Sequence, residues 1–246
     1  MSYIYVKKST TKRVKNHKKS KINPKYRKLF AFGFFIIGIS TFVYALFPII
    51  KFQFFYSSRF SQIISPLSTK FYNQGGSIIE DNSTDYTQIS NWFVQDGKEI
   101  NFPSLISSNS TNKTYYLSIP KLKIKDALVE VGSMDLKKSL IQYPQTALPG
   151  QLGNTVVFGH SVLPQFYNPK AYMTIFSTVY TLKNGDEIFL KYDNIEYKYI
   201  IEDMFEVKPT DFSVLEQRYD SKYLTLVTCS PPGTYLRRLI VKAKLR

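Results

Sequence analysis

The stretch "YLTLVTCSPPGTYLRRLIVKAKL", residues 223–245, holds two alternating strand patterns joined by a turn rich in proline and glycine. In the first strand, alternation places Cys229 on the same face as Val227, opposite the leucines. In the second strand it places Arg238 on the polar face with Lys242, and Arg237 on the apolar face. If the turn pairs these strands as a hairpin, Cys229 and Arg238 share one surface, which we expect to be exposed to solvent. The turn length leaves the register open.

Strand patterns continue upstream of this hairpin. The segments "YYLSIP", "LKIKDALVEV", "NTVVFGH", "DEIFLKYD" and "IEYKYIIEDMFEV" all read as strands, and "LKNGDE" reads as a turn. Short helices are predicted over residues 135–141 and 169–176. Seven or eight strands within residues 114–246 indicate a mainly β domain, either a closed barrel or a sandwich, with helices as minor elements.

The positive charge of the chain is concentrated in its first 28 residues. The formal net charge is +15, and residues 1–28 contain eleven Lys/Arg and no acidic residue. The other 218 residues have 22 basic and 18 acidic side chains, a surplus of only four. The basicity therefore belongs to a tail and not to a folded surface, so we expect no nucleic-acid partner.

An uncharged apolar segment follows this tail. Residues 29–50, "LFAFGFFIIGISTFVYALFPII", would form a helix about 33 Å long, enough for a bilayer core. A cleaved signal peptide would have a shorter apolar region and a cleavage site of small residues. A helix that is apolar on every face either lies in a protein core or spans a membrane, and the cationic run before this segment favours the membrane. We expect a transmembrane helix in contact with lipid, with residues 1–28 as a cytoplasmic tail and the rest outside the cell membrane.

Residues 51–113 separate this helix from the β domain. They change from basic and aromatic to acidic and then to the polar run "SLISSNSTNKT". We interpret them as an extracytoplasmic linker. Two interpretations of this linker stay open: a short helix or strand around Trp92–Val94 packs on the β domain, or the linker is a plain spacer. The sequence also does not decide whether residues 51–113 cover a groove.

Cys229 is the only cysteine, and His160 is the only histidine outside the basic tail. A thiol near its ordinary pKa of about 8.5 is mostly protonated at neutral pH, and a nearby imidazolium or guanidinium favours the thiolate. Taken singly, each candidate residue has a plainer interpretation. Cys229 could be a small buried hydrophobic residue, His160 a turn residue, and Arg238 a solvated charge. Their joint occurrence at strand ends favours a catalytic group of Cys229, His160 and Arg238, with Arg237 as the alternative arginine.

These motifs resemble the sortase family. "TLVTC" followed by an arginine nine residues beyond the cysteine resembles the sortase signature, and "YLSIPKLKI", "YPQTALPGQLGNTVVFGH" and "LKNGDEI" resemble its upstream elements in order. The resemblance covers roughly residues 115–246. It implies a closed eight-stranded β-barrel with the activity of a cysteine transpeptidase. It implies no cofactor, and we assign no metal site.

The resemblance also implies roles and partners. Cys229 would form a thioester with an LPxTG-like sorting signal, His160 would act as general acid and base, and Arg238 would hold the substrate and steady the oxyanion. The partners would be proteins that carry such a signal and an amine acceptor on the cell wall or on a surface protein.

Some features bear on the subclass. Tyr143 stands where many relatives have histidine, no Asp-Pro-aromatic motif occurs in residues 51–113, and no second apolar span follows the last strand. These features favour a single-anchor class D/E or A type over a pilin polymerase. Two other functions stay open at this point: a cysteine hydrolase of the same fold, and a non-catalytic surface β-barrel whose cysteine is structural.

Overall fold

A computed structural model describes residues 24–56, 85, 87–92, 94–95, 98–99 and 113–246. The chain divides into two compact units, residues 1–45 and 46–246. Helix α1, Pro24–Phe55, contains one segment, Arg27–Phe47, that is long and apolar enough to cross a membrane. Large apolar side chains on it, such as Phe34 and Phe42, are exposed. The basic run of residues 1–23 lies outside the described residues.

Eight strands close into a barrel, and two shorter strands form a separate pair. The strands are β1 Val94–Gln95, β2 Lys98–Glu99, β3 Thr114–Ile119, β4 Ile124–Val131, β5 Leu140–Gln142, β6 Gly153–Phe158, β7 Glu187–Tyr192, β8 Ile195–Val207, β9 Lys222–Ser230 and β10 Arg237–Leu245. Around the barrel the order is β10-β8-β7-β3-β4-β5-β6-β9. The pairs β4–β5 and β6–β9 are parallel, and the other pairs are antiparallel. The predicted closed barrel is confirmed.

The strands predicted from alternation are all present in the barrel, which contains β5 in addition. Strand β5 has only three residues, all buried, so it lacks the alternation that reveals a half-exposed strand. The "LKNGDE" turn is also present, and Asp186 N–H donates to the Lys183 carbonyl there.

The two predicted helices are absent. Residues 136–139 form a turn and a bend that lead directly into β5, and residues 169–178 lie mostly in successive turns. In the second segment the Thr174 hydroxyl donates to the carbonyls of Asn168 and Ala171. The Met173 carbonyl bonds to His160. These side-chain bonds to backbone groups compete with a continuous helical ladder.

Two apolar clusters lie on opposite faces of the sheet. The first draws residues from all eight barrel strands, including Leu224, Leu226 and Leu239, and so fills the barrel interior. The second contains Val227 and Cys229. Because these two residues have the opposite parity to Leu224 and Leu226, the second cluster lies on the outer face of the sheet.

Candidate active site

Cys229 and Arg238 are direct partners across the β9–β10 ladder. The register pairs Arg238 with Cys229, Ile240 with Val227 and Lys242 with Thr225. Residues opposite each other in an antiparallel pair project on the same face with their Cβ atoms about 4.5–5.5 Å apart. The hairpin therefore places the thiol and the guanidinium side by side on the outer face. The register left open by the sequence is settled by a turn of residues 231–236 between the strands.

His160 lies at the end of β6, the strand on the other side of β9. Strand β6 runs parallel to β9, with Phe158 paired to Val227. The ladder continues past it, because Gly159 N–H donates to the Val227 carbonyl over 3.1 Å. The Ser161 hydroxyl donates to the Cys229 carbonyl over 3.2 Å. His160 is thus level with Cys229, and three neighbouring strands carry the predicted site residues to one end of the barrel.

Backbone contacts fix the orientation of the His160 ring. Its Nδ1 lies 2.8 Å from the Met173 carbonyl oxygen. Since a carbonyl can only accept, Nδ1 carries the proton, and Nε2 is the nitrogen left to exchange protons when the ring is neutral. The Phe176 ring packs directly against Gly159, and a Cβ at Gly159 would stand 2.2 Å from one of its ring carbons.

The Arg238 guanidinium is fully enclosed, with 1 % of the residue exposed. Its Nε and Nη2 donate to the Trp92 carbonyl at 3.2 and 2.8 Å. Its Nη1 donates to the carbonyls of Tyr235 and Arg237 at 3.0 and 3.1 Å. The guanidinium carbon also lies 5.2 Å from the centroid of the Trp92 ring, within the range of a cation–π contact.

The neighbouring Arg237 projects to the other face. Its Nη1 lies 3.3 Å from the buried Glu206 carboxylate, which also accepts a hydrogen bond from the Ser230 hydroxyl over 2.5 Å. Arg237 pairs with Ser230 in the ladder. Of the two arginines, only Arg238 shares the face of Cys229.

The prediction that the outer face is exposed to solvent is wrong at this end of the sheet. Cys229 is 1 % exposed, and Arg238 and Ile240 are equally enclosed. The thiol belongs to the outer apolar cluster together with Ile89 and Trp92. A segment outside the barrel, residues 87–92, therefore covers the outer face of the sheet, and strand alternation could not predict this contact.

Enclosure disfavours the charged forms of the thiol and of the imidazole. Burial raises the pKa of the Cys229 thiol above its ordinary value, and the nearby Arg238 guanidinium opposes this by lowering it. Burial lowers the pKa of His160, while its hydrogen bond with Met173 and the negative charge of Asp85 raise it. Solvent entry would weaken the burial effect on both groups and so bring the two pKa values closer together.

Comparison with known proteins assigns this domain. A family model described as the sortase domain matches residues 117–246, which is more than half of the chain. The chain belongs to the sortase family. The Sortase A of Staphylococcus aureus is 34 % identical over 132 residues, which cover 45 % of this chain and 58 % of that protein. The Sortase A of Bacillus anthracis is 27 % identical over 169 residues, which cover 65 % and 75 % of the two chains.

Solved sortase structures also match this sortase. One is described as a Clostridium perfringens Sortase D5 transpeptidase, at 30 % identity and a TM-score of 0.47, covering 55 % of this chain and 79 % of that one. The Sortase A from Corynebacterium diphtheriae matches at 25 % identity and a TM-score of 0.47, covering 55 % and 60 %. The aligned part of this sortase spans less than two thirds of the S. aureus protein, at 58 %.

Proposed function

We propose that this sortase is a membrane-anchored cysteine transpeptidase that cleaves an LPxTG-like sorting signal and transfers it to an amine. The observation that carries this proposal is the placement of Cys229, Arg238 and His160 on three neighbouring strands at one end of the barrel. The family adds support, because its members are cysteine transpeptidases and this chain has a single cysteine. Helix α1 would hold the enzyme in the membrane, with residues 1–28 in the cytoplasm and the barrel outside the cell.

The first half of the reaction forms a thioester. The Cys229 thiolate attacks the carbonyl carbon of the scissile bond, and the carbonyl oxygen becomes an oxyanion that accepts hydrogen bonds from Arg238. Protonated His160 gives a proton to the departing amide nitrogen as the C–N bond breaks. The acyl group then remains on sulfur, and the C-terminal part of the signal leaves as an amine.

The second half transfers the acyl group. An incoming amine attacks the thioester carbon, His160 accepts the proton that this nitrogen loses, and the C–S bond breaks to restore the thiolate. Water attacking the same thioester would give hydrolysis instead. The choice between transferase and hydrolase therefore depends on which nucleophile reaches the acyl group.

An acceptor experiment separates these two activities. The full-length chain, purified in a mild detergent, would be incubated with an LPxTG-type peptide with and without triglycine, and the products identified by mass spectrometry. We expect the peptide product to carry triglycine when it is present. A product that always carries water in place of the amine would show a hydrolase, and the absence of cleavage would refute the assigned substrate class.

The substitution Arg238→Lys tests the proposed role of Arg238 in holding the substrate and the oxyanion. Lysine keeps the charge but cannot place two parallel N–H groups on one oxygen, so we expect kcat/KM for transfer to fall by about 10²- to 10³-fold. The matched control is Arg237→Lys, which keeps a cation beside Glu206 on the other face and should lower kcat/KM by less than about threefold. Equal losses in the two variants would refute the specific assignment of Arg238.

A further inference from the structure

A cavity of about 280 Å³ lies between the start of β4 and the loop that follows His160. One wall carries Lys123, Lys125 and Asp126, and the other wall carries Lys170. The lining therefore has three ammonium groups and one carboxylate, a surplus of two positive charges. We call this space the lysine cavity. It is distinct from the candidate active site, whose three residues do not line it.

A β-bulge in β4 turns two consecutive polar side chains of this wall outwards. The register between β3 and β4 slips by one residue here, and the extra residue is in β4. Lys125 and Asp126 are consequently both exposed, while Ile124 and Ala127 on either side of them are buried. Asp126 has a φ of 48°, in the left-handed region that a residue with a Cβ seldom adopts. The backbone thus departs from a regular strand at the point where the charged wall begins.

Asp126 does not neutralise the three lysines. Its carboxylate accepts a hydrogen bond of 3.4 Å from the Ser118 hydroxyl, whose oxygen accepts from the Asp126 N–H over 2.8 Å. Within the part of the chain that the structure describes, none of the three lysine side chains forms an ion pair. The nearby Lys121, in contrast, is bound to Asp186 over 2.6 Å. Like charges that face one space without an internal partner attract an anion from solution.

The rest of the lining is apolar and held in place. Pro169, Ile175 and the Tyr172 ring complete the wall that carries Lys170. The Tyr172 hydroxyl accepts a hydrogen bond of 3.0 Å from the Leu128 N–H, which ties this loop to β4. The volume is close to the lower limit of about 300 Å³ for small-molecule sites. A cationic side and an apolar side together suit an anion that carries a short organic group.

We propose that the lysine cavity binds a phosphate ester of a small alcohol, with glycerol phosphate as the representative group. Lysine binds phosphate as a point charge, whereas a planar carboxylate is better matched by the fork of an arginine. The ammonium groups would donate to the phosphate oxygens from two walls, and the alcohol part would contact Tyr172 and Ile175. This binding site goes beyond peptide transfer and does not depend on the proposed function.

Calorimetry on the full-length chain in an uncharged detergent tests this site. Glycerol 1-phosphate would be titrated into the protein, with glycerol as the uncharged control. We expect saturable binding of the phosphate ester and none of glycerol. The affinity should fall with added sodium chloride, because salt screens exposed charges. Absence of saturable binding by glycerol 1-phosphate would overturn the proposal.

Lysine substitutions locate the binding. Lys123→Gln, Lys125→Gln and Lys170→Gln should each raise the Kd for glycerol 1-phosphate by about fivefold. These side chains are exposed, so the midpoint of thermal unfolding should stay unchanged. The matched control is Lys191→Gln, which removes an exposed lysine of β7 that does not line the cavity and should change the Kd by less than about twofold. The same increase in Lys191→Gln as in the other three variants would overturn the proposal.

Glycerol phosphate is both a phospholipid headgroup and a soluble ester, and a competition experiment separates these two sources. The titration would be repeated in mixed micelles that contain phosphatidylglycerol, and in micelles that contain phosphatidylcholine instead. An apparent Kd for glycerol 1-phosphate that rises only with phosphatidylglycerol would assign the headgroup as a ligand of the cavity. An apparent Kd that is the same in both kinds of micelle would assign the soluble ester.

Discussion

Replacement of Cys229 by alanine is expected to reduce transfer of an LPxTG-type peptide to triglycine by at least about ten-thousandfold. The reason is chemical, since no other cysteine exists in the chain and the thioester requires sulfur. The change would be measured as initial rates of product formation by the full-length chain at saturating peptide. The midpoint of thermal unfolding should change little, because alanine differs from cysteine at this buried position by the sulfur alone.

Cys229→Ser is the matched variant for this experiment. Serine preserves the shape of the side chain and a hydroxyl, but the hydroxyl ionises far less readily than a thiol. We therefore expect a loss nearly as large as that of alanine. A serine variant with more than about a tenth of the wild-type rate, or an alanine variant that still transfers, would contradict a nucleophilic role for the sulfur.

His160→Gln is expected to lower kcat/KM for transfer by about 10²- to 10⁴-fold. Glutamine can still donate a hydrogen bond towards the Met173 carbonyl, but it cannot exchange a proton with the reacting nitrogen. The matched control is His17→Gln, which changes the only other histidine, in the basic tail, and should leave kcat/KM unchanged. A comparable loss in both variants, or none in either, would contradict the role assigned to His160.

The pH dependence gives a second readout for His160. The proposed mechanism of transfer needs a thiolate and a protonated imidazole, yet burial raises the pKa of Cys229 and lowers that of His160. The active combination is therefore most populated between the two pKa values. We expect kcat/KM to be bell-shaped, with an acid limb at or below the ordinary histidine pKa of about 6.5 and an alkaline limb at or above the ordinary thiol pKa of about 8.5.

In His160→Gln only the thiol titrates, so the residual rate should rise with pH through the pKa of Cys229 and show no alkaline decline. A merely structural role for His160 would lower the rate and leave the shape of the profile unchanged.

Much of the fold follows from local patterns. The alternation in residues 223–245 predicted two adjacent strands, and the same parity separated Arg238 from Arg237. Strand β5 was missed because a three-residue buried strand carries no alternation. The helix predicted at residues 169–176 failed because side chains take its backbone partners, among them the Met173 carbonyl that orients His160. That contact has no signal in the sequence.

The enclosure of the site could not be predicted from the strands. Alternation assigns Arg238 to the outer face, and outer faces of antiparallel sheets commonly meet water. Here a carbonyl 146 residues away in the chain binds the guanidinium instead. The only local indication was the apolar run Trp92–Val94, which was equally consistent with a spacer. A contact over that distance depends on tertiary packing and not on strand parity.

The most direct test of the proposed chemistry is the intact mass of the full-length chain, quenched with acid shortly after mixing with an LPxTG-type peptide in the absence of an amine. We predict a gain equal to the acyl part of the peptide, located by peptide mapping on Cys229 and removed by hydroxylamine. An unmodified chain under conditions in which the peptide is cleaved, or an adduct on any other residue, would contradict catalysis through a Cys229 thioester.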